Sequence, residues 1–261
     1  MKDLLNIALC QYSIQWEAPS GNMGRLSAMI DSFVRTRSAD TVPDLIVLPE
    51  FFATGFTQDL RFAEPPEGPV LQWMKDVAGH TGAAVAGSTP VMDGGCVRNR
   101  FYFVWPDGRY DYYDKRHLFR MSAENEVFTP GTRRRTVEYL GWRIGLNVCY
   151  DLRFPVWSRN TQGNSYDIML NVASWPASRI ETASLLVRAR AVENQAWMVF
   201  CNREGESPDE TYSGGSMIVD YTGRSVGVCE QGFLTASADI AGLREFRESF
   251  PVWKDADIFE I

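Results

Sequence analysis

Histidine is scarce in this chain: only His80 and His117 are present. That argues against a histidine-rich metal centre. A thiol peptidase would have to bring one of these two to its cysteine. Long apolar runs are missing as well. No stretch approaches the roughly 18 uninterrupted apolar residues of a membrane span. The opening Met1-Lys2-Asp3 leads into a short apolar segment broken at Asn6, without the basic region and cleavage site of a signal peptide. A soluble, cytoplasmic protein is expected, with no membrane partner. Positive charge is in deficit, with 26 Lys and Arg against 33 Asp and Glu and a net charge of −7. A nucleic acid would gain nothing from that field. The densest basic run, Arg133-Arg134-Arg135, reads as a solvated loop or strand edge. The five cysteines, at 10, 96, 149, 201 and 229, are odd in number and no pair has metal-ligand spacing. Neither a metal nor another cofactor is indicated, and a reducing compartment fits best. Cys10, Cys201 and Cys229 have apolar neighbours and are expected to be buried, inert thiols. Repeats and Pro-, Gly- or Ser-rich linkers are also lacking, so residues 1–261 read as one domain.

What is present alternates between strand and helix patterns. Leu5 to Gln11, Asp44 to Leu48 and Ala83 to Gly87 are short, mostly apolar runs, as expected of strands buried on both faces. Leu26, Ile30 and Phe33 recur at helical spacing, and Val70 to Ala78 predicts a second helix. Val97 to Tyr113 predicts a hairpin turning at Pro106-Asp107-Gly108. Arg134 to Cys149 predicts two strands broken near Leu140-Gly141, followed by a short helix over Phe154 to Gly163. Tyr166 to Asn171 and Trp197 to Asn202 predict strands. Between them Leu185, Ala189, Val192 and Ala196 share one face of a helix over Glu181 to Gln195. Met217 to Asp220, Gly223 to Val228 and Phe233 to Ala238 follow as strands, with a last helix over Ile240 to Arg247. Two mixed sheets packed face to face with helices outside would satisfy this order. Periodicity alone leaves a doubly wound single sheet open.

Three reactive residues stand where predicted strands end, the place where open α/β sheets put their sites. Glu50 follows a buried run in Leu48-Pro49-Glu50-Phe51-Phe52. A carboxylate there is costly to desolvate unless partnered, and it suits a general base. The plain alternative is a surface Glu at a loop start. Lys115 ends the hairpin in Tyr113-Asp114-Lys115-Arg116-His117. An ammonium aimed into a dry pocket stabilises a developing oxyanion, although edge strands also carry exposed lysines. Cys149 ends an apolar strand in Asn147-Val148-Cys149-Tyr150-Asp151-Leu152-Arg153. At a strand-to-helix turn the following backbone N–H groups can stabilise a thiolate. A buried strand cysteine is the alternative, but adjacent Asp151 and Arg153 both need partners.

With these segments in hand, the sequence resembles the nitrilase superfamily, whose members carry Glu, Lys and Cys in this chain order. The signatures read Leu-Pro-Glu-Phe at Glu50, Asp-Lys-Arg-His-Leu at Lys115, and Asn-Val-Cys-Tyr-Asp-Leu-Arg-Phe at Cys149. Glu124, shortly before Thr129-Pro130-Gly131, matches the family's second glutamate better than Glu126 does. The resemblance implies a four-layer α-β-β-α sandwich, two mixed sheets with helices outside. It also implies association into a homodimer or larger homo-oligomer. In the implied mechanism Glu50 is the base, Cys149 the nucleophile, and Lys115 with the Tyr150 backbone N–H the oxyanion donors. Glu124 holds Lys115.

The stretches Cys149 to Pro155 and Asn171 to Arg179 are similar to the omega-amidase branch, which removes the terminal amide of 2-oxo dicarboxylate monoamides. A small acidic substrate needs a cationic anchor, for which Arg153 and Arg179 are candidates. Phe119 and Trp175 are candidate pocket walls. Arg153 could instead pair with Asp151, and Trp175 could be core packing. With no long extension beyond the motifs, synthetase fusions and long-chain nitrilases are disfavoured, while a carbamoylase, nitrilase or other small amidase stays open. From other classes, a metal-dependent phosphodiesterase using Glu50 as a ligand and a non-catalytic binding protein are carried forward.

Overall fold

The computed structural model describes residues 2–161 and 165–257. The first half holds β1 (Leu4–Cys10), α1 (Pro19–Arg35), β2 (Leu45–Val47), α2 (Pro69–Thr81), β3 (Ala84–Asp93), β4 (Cys96–Val104) and β5 (Tyr110–Asp114). Next come α3 (Glu124–Val127), β6 (Thr136–Tyr139), β7 (Trp142–Val148), α4 (Pro155–Ser158), β8 (Ile168–Ala173), α5 (Ile180–Asn194) and β9 (Trp197–Asn202). Then follow β10 (Glu204–Glu206), β11 (Thr211–Ser213), β12 (Met217–Val219), β13 (Ser225–Val226), β14 (Val228–Glu230), β15 (Phe233–Asp239) and α6 (Ile240–Ser249).

One sheet runs β14-β15-β1-β2-β3-β4-β5 and the other β13-β12-β9-β8-β7-β6. Each is mixed around three parallel strands, β1, β2 and β3 in one and β7, β8 and β9 in the other. Strand parity explains why these segments read as nearly unbroken apolar runs. Leu5, Ile7 and Leu9 of β1 meet Ile168, Leu170 and Val172 of β8 in the core between the sheets. Ala8 and Cys10 face the other way, onto Leu26, Ile30 and Phe33 of α1. Met169 and Ala173 likewise pack on Ala183, Val187 and Ala191 of α5. The result is the α-β-β-α sandwich, each large side chain so buried contributing about 1.5–3 kcal/mol. Among the described residues no helix is long and apolar enough to cross a membrane.

Several local expectations are corrected. The face of α5 chosen by its larger apolar residues is the outer one: Leu185 is 70% and Val192 51% exposed, and Ala189 is exposed too. The buried face consists of Ala183, Val187, Ala191 and two polar residues, Arg190 and Asn194. Small side chains let the helix lie close to its sheet. Arg190 Nε donates to the Leu152 carbonyl at 3.1 Å and Asn194 Nδ2 to that of Arg190 at 2.9 Å. Satisfied buried polar groups of this kind defeat a reading by hydrophobicity. The helix expected over Phe154 to Gly163 stops at Ser158, where Arg159 turns extended, and Gly163 lies outside the described residues. Gly223 to Val228 is not one strand. Gly227, at φ 118° and packed against the Thr235 carbonyl, breaks it, so that β13 and β14 belong to different sheets. Cys229 on edge strand β14 is exposed rather than buried.

Candidate active site

Glu50 follows β2, Lys115 follows β5, Cys149 follows β7 and Ser174 follows β8. These strands share a direction within their sheets, so their carboxyl ends deliver the four residues to one end of the sandwich. A cavity of about 310 Å³ opens there, lined among others by Glu50, Lys115 and Cys149.

Three backbone kinks aim the groups. Phe51, Ala123 and Cys149 have φ of 49°, 59° and 44°. Left-handed backbone without glycine costs on the order of 1–3 kcal/mol per residue. Each kink lies at or beside a site residue: Glu50, Glu124 and the thiol itself. The elbow at Cys149 is tied down by fully buried Asp151. Its carboxylate accepts the Val148 N–H at 3.0 Å, the Tyr113 hydroxyl at 2.7 Å and the His117 N–H at 2.9 Å. Tyr113 and His117 flank Lys115, so one carboxylate joins the thiol-bearing and lysine-bearing segments. The Thr129-Pro130-Gly131 motif has a mechanical reason. Gly131 N–H donates to the Lys115 carbonyl at 2.9 Å, and a Cβ at Gly131 would sit 2.0 Å from the Asp114 oxygen.

Lys115 Nζ lies 2.9 Å from Glu50 Oε1, and 3.0 and 2.9 Å from the two oxygens of Glu124. All three side chains are buried. Glu50 also accepts from Asn99 Nδ2 at 2.8 Å and from the Ser174 N–H at 2.9 Å. Glu124 accepts from Asn99 at 3.1 Å and from the Phe119 N–H at 2.6 Å. Burial pulls the Lys115 pKa down, but Glu124 and Glu50 hold it above the ordinary lysine value. Burial raises Glu124, Lys115 opposes this and Glu50 adds to it, leaving the carboxyl above its usual range. Burial, then Glu50, push the Cys149 thiol well above the ordinary cysteine value, against Lys115. The resting thiol is therefore protonated and needs a base.

The residues proposed from the sequence for catalysis and substrate contact gather here. Phe119, Tyr150, Arg153, Trp175 and Arg179 also line the cavity, while Glu126 is exposed. Arg153 does not pair with Asp151. Its guanidinium lies over the Trp175 ring at 5.0 Å, and among the described residues no carboxylate comes within ion-pair distance of it. Arg179 is bound to Glu210 at 3.1 Å. Trp175 is pinned through its indole N–H to the Arg179 carbonyl at 2.9 Å. His117 Nδ1 is 2.8 Å from Asp151 and its ring stacks on Phe154. It does not line the cavity, which removes the basis of the thiol-peptidase alternative. Among the described residues no three His, Cys, Asp or Glu group as metal ligands.

Sequence reasoning missed Asn99 and Ser174, whose roles depend on register between strands. It also missed Trp16 and Phe56 on irregular loops. The β10–β11 hairpin, which brings Glu210 and Tyr212 to the cavity, was hidden because Glu204 to Ser213 is polar and interrupted by Gly205 and Pro208. Only Ser207-Pro208-Asp209 carried a turn signal.

Residues 6–248 match the family described as carbon-nitrogen hydrolase. The chain is 39% identical to the omega-amidase YafV of Yersinia enterocolitica, covering 98% of both chains. It is 32% identical to the 2-oxoglutaramate amidase of Bacillus subtilis, covering 95% of this chain and 96% of that one. Among solved structures, a CN-hydrolase superfamily protein from Xanthomonas campestris, with an arsenic adduct in its active site, superposes with a TM-score of 0.93 at 36% identity over all of both chains. Saccharomyces cerevisiae Nit3, of the nitrilase superfamily, shares the fold at TM-score 0.83 and 23% identity, covering 97% of this chain and 96% of that one. The chain belongs to the carbon–nitrogen hydrolase family, is similar to omega-amidases within it, and is a hydrolase of carbon–nitrogen bonds.

Proposed function

We propose that this enzyme hydrolyses the terminal amide of 2-oxo dicarboxylate monoamides, 2-oxoglutaramate and 2-oxosuccinamate, through a thioester on Cys149. The observation that carries the substrate class is Arg153, a cation without an acidic partner among the described residues, held over Trp175 in the cavity that holds the thiol. An anionic tail is what such a site lacks. The relatives named for omega-amidase and 2-oxoglutaramate amidase activity support the same reading.

Glu50 takes the thiol proton as sulfur bonds to the amide carbon and the carbonyl electrons move onto oxygen. The Lys115 ammonium and the Tyr150 backbone N–H receive that oxyanion. Donors of this kind contribute on the order of 10²–10³ in rate. Among the described residues the Nζ hydrogen bonds all go to carboxylates, two of them to Glu124. Giving one of those two to the oxyanion keeps Lys115 charged and anchored. The carbon–nitrogen bond then breaks as Glu50 returns its proton to the leaving nitrogen, and ammonia departs. Glu50 next deprotonates water, which attacks the thioester; the carbon–sulfur bond breaks, Glu50 returns the proton to the departing Cys149 sulfur, and the 2-oxo acid leaves.

The test is ammonia release from 2-oxoglutaramate, compared with glutamine, propionamide and an N-carbamoyl amino acid. Preference for the 2-oxo amide supports the proposal; turnover of the others alone discards the substrate and moves the enzyme to another amidase or carbamoylase class. Arg153→Ala is expected to raise KM for 2-oxoglutaramate about 10- to 100-fold, the loss of one charge-assisted contact, and to leave propionamide turnover unchanged. An equal loss on both substrates would remove Arg153 as the anchor.

A cytoplasmic homodimer or larger homo-oligomer belongs to the same proposal. Leu185, Val192, Phe250 and Trp253 are large apolar side chains left between 47% and 70% exposed on or after α5 and α6, which favours a covering subunit. Light scattering at micromolar concentration is expected to give at least twice the chain mass; a monomer would contradict it.

A further inference from the structure

We infer that Asn99 is a positioning residue for the hydrolytic step: its side-chain amide holds Glu50 and Glu124 together around Lys115, keeping Glu50 free to accept the Cys149 proton. This rests on the proposed role of Glu50 as the base.

Asn99 lies in β4 and is 1% exposed. Its carbonyl oxygen accepts the Lys115 N–H at 2.9 Å. Its Nδ2 donates to Glu50 Oε1 at 2.8 Å and to Glu124 Oε1 at 3.1 Å. One residue thus touches Lys115 and both carboxylates. The amide orientation is forced, because ionised carboxylates only accept and the Asn oxygen would face them if the amide were turned. That orientation leaves Oδ1 buried without a partner among the described residues. A buried orphan acceptor opposes folding, so the arrangement is not explained by stability.

Charge supplies the reason. Two carboxylates share one ammonium in a buried site, an excess of one negative charge. Unless that excess is countered, one carboxyl takes up a proton. A protonated Glu50 cannot receive the proton of Cys149. The two amide hydrogens bridge the pair and favour the doubly ionised form. The other titratable groups facing the pair are Lys115 after β5, Cys149 at the elbow and Tyr212 on the β10–β11 hairpin. Of these, Lys115 alone is a cation.

The experiment is the pH profile of kcat/KM for 2-oxoglutaramate with Asn99→Leu, which keeps the branched outline of the side chain and removes both amide hydrogens. Losing donors raises carboxyl pKa values, so the acid limb is expected to move up by about one pH unit. On the plateau kcat should fall about 10- to 100-fold, with KM within about twofold. If Asn99→Leu does not fold, Asn99→Ser, which keeps a single donor hydrogen, decides the matter by a smaller shift of the same sign. An unmoved acid limb, whatever the change in thermal stability, overturns the inference. Glu50→Gln is assayed in parallel. If it stays active, the base assignment fails and takes this inference with it; if it is dead while the Asn99 profile is unmoved, only the inference fails.

Discussion

Cys149→Ala is expected to abolish ammonia release, with kcat lower by on the order of 10⁴–10⁶-fold while 2-oxoglutaramate still binds. The size follows from loss of the covalent route itself, since nucleophile deletions remove nearly all the cooperation of their partners. Binding survives because the side chains of Arg153, Trp175 and Phe119, which also line the cavity, are untouched by the substitution. Cys149→Ser should be nearly as inactive. The base is matched to a thiol, and an alcohol is much harder to deprotonate. Steady-state kinetics and isothermal titration calorimetry check the two halves of this expectation. Activity within about tenfold of wild type would place the nucleophile elsewhere.

Lys115→Met should cost both activity and stability. Removing the ammonium leaves Glu50 and Glu124 facing each other, with Asn99 as the shared donor. Breaking a buried pair by deleting one partner costs about 3–5 kcal/mol, a fall of very roughly 10 °C in Tm for a domain of this size. The pH dependence has a definite sign. Burial already raises Glu124, and Lys115 is the group that opposes it. Without Lys115 its folded-state value rises further above the unfolded one, about 4.3. The variant is therefore closest to wild type below that pH. It loses stability as pH rises through the raised folded-state value. Thermal melts of both proteins from pH 4 to pH 8 measure the gap; a gap that is constant or shrinks with pH contradicts the burial argument.

The parts of the fold legible in the sequence were those where burial and periodicity coincide. Leu5 to Cys10 and Ile168 to Val172, apart from Asn6 and Asn171, are apolar on both faces because a sheet and a helix layer cover them. Glu50 and Cys149 could be nominated because each ends such a run with a residue that the run itself does not call for, whereas Lys115 follows the polar strand Tyr110–Asp114 and was nominated by its place at the end of the hairpin. The failures have physical causes too. On α5 the core contact is made by alanines and two satisfied polar residues, so the larger apolar face pointed outward. Asn99 looked like any polar strand residue, since its meaning arises from two partners, 49 and 25 positions away. The arginines could be nominated but not ranked until the structure paired Arg179 with Glu210 and left Arg153 over Trp175.

The covalent step is the centre of the proposed mechanism, and acid-quenched mass spectrometry reaches it most directly. Enzyme mixed with excess 2-oxoglutaramate and quenched during turnover should carry one 2-oxoglutaryl group. Peptide mapping should place it on Cys149, with hydroxylamine removing it as a thioester requires. Ammonia release with unmodified protein throughout, or an acyl group on another residue such as the partly exposed Cys96, would contradict the mechanism.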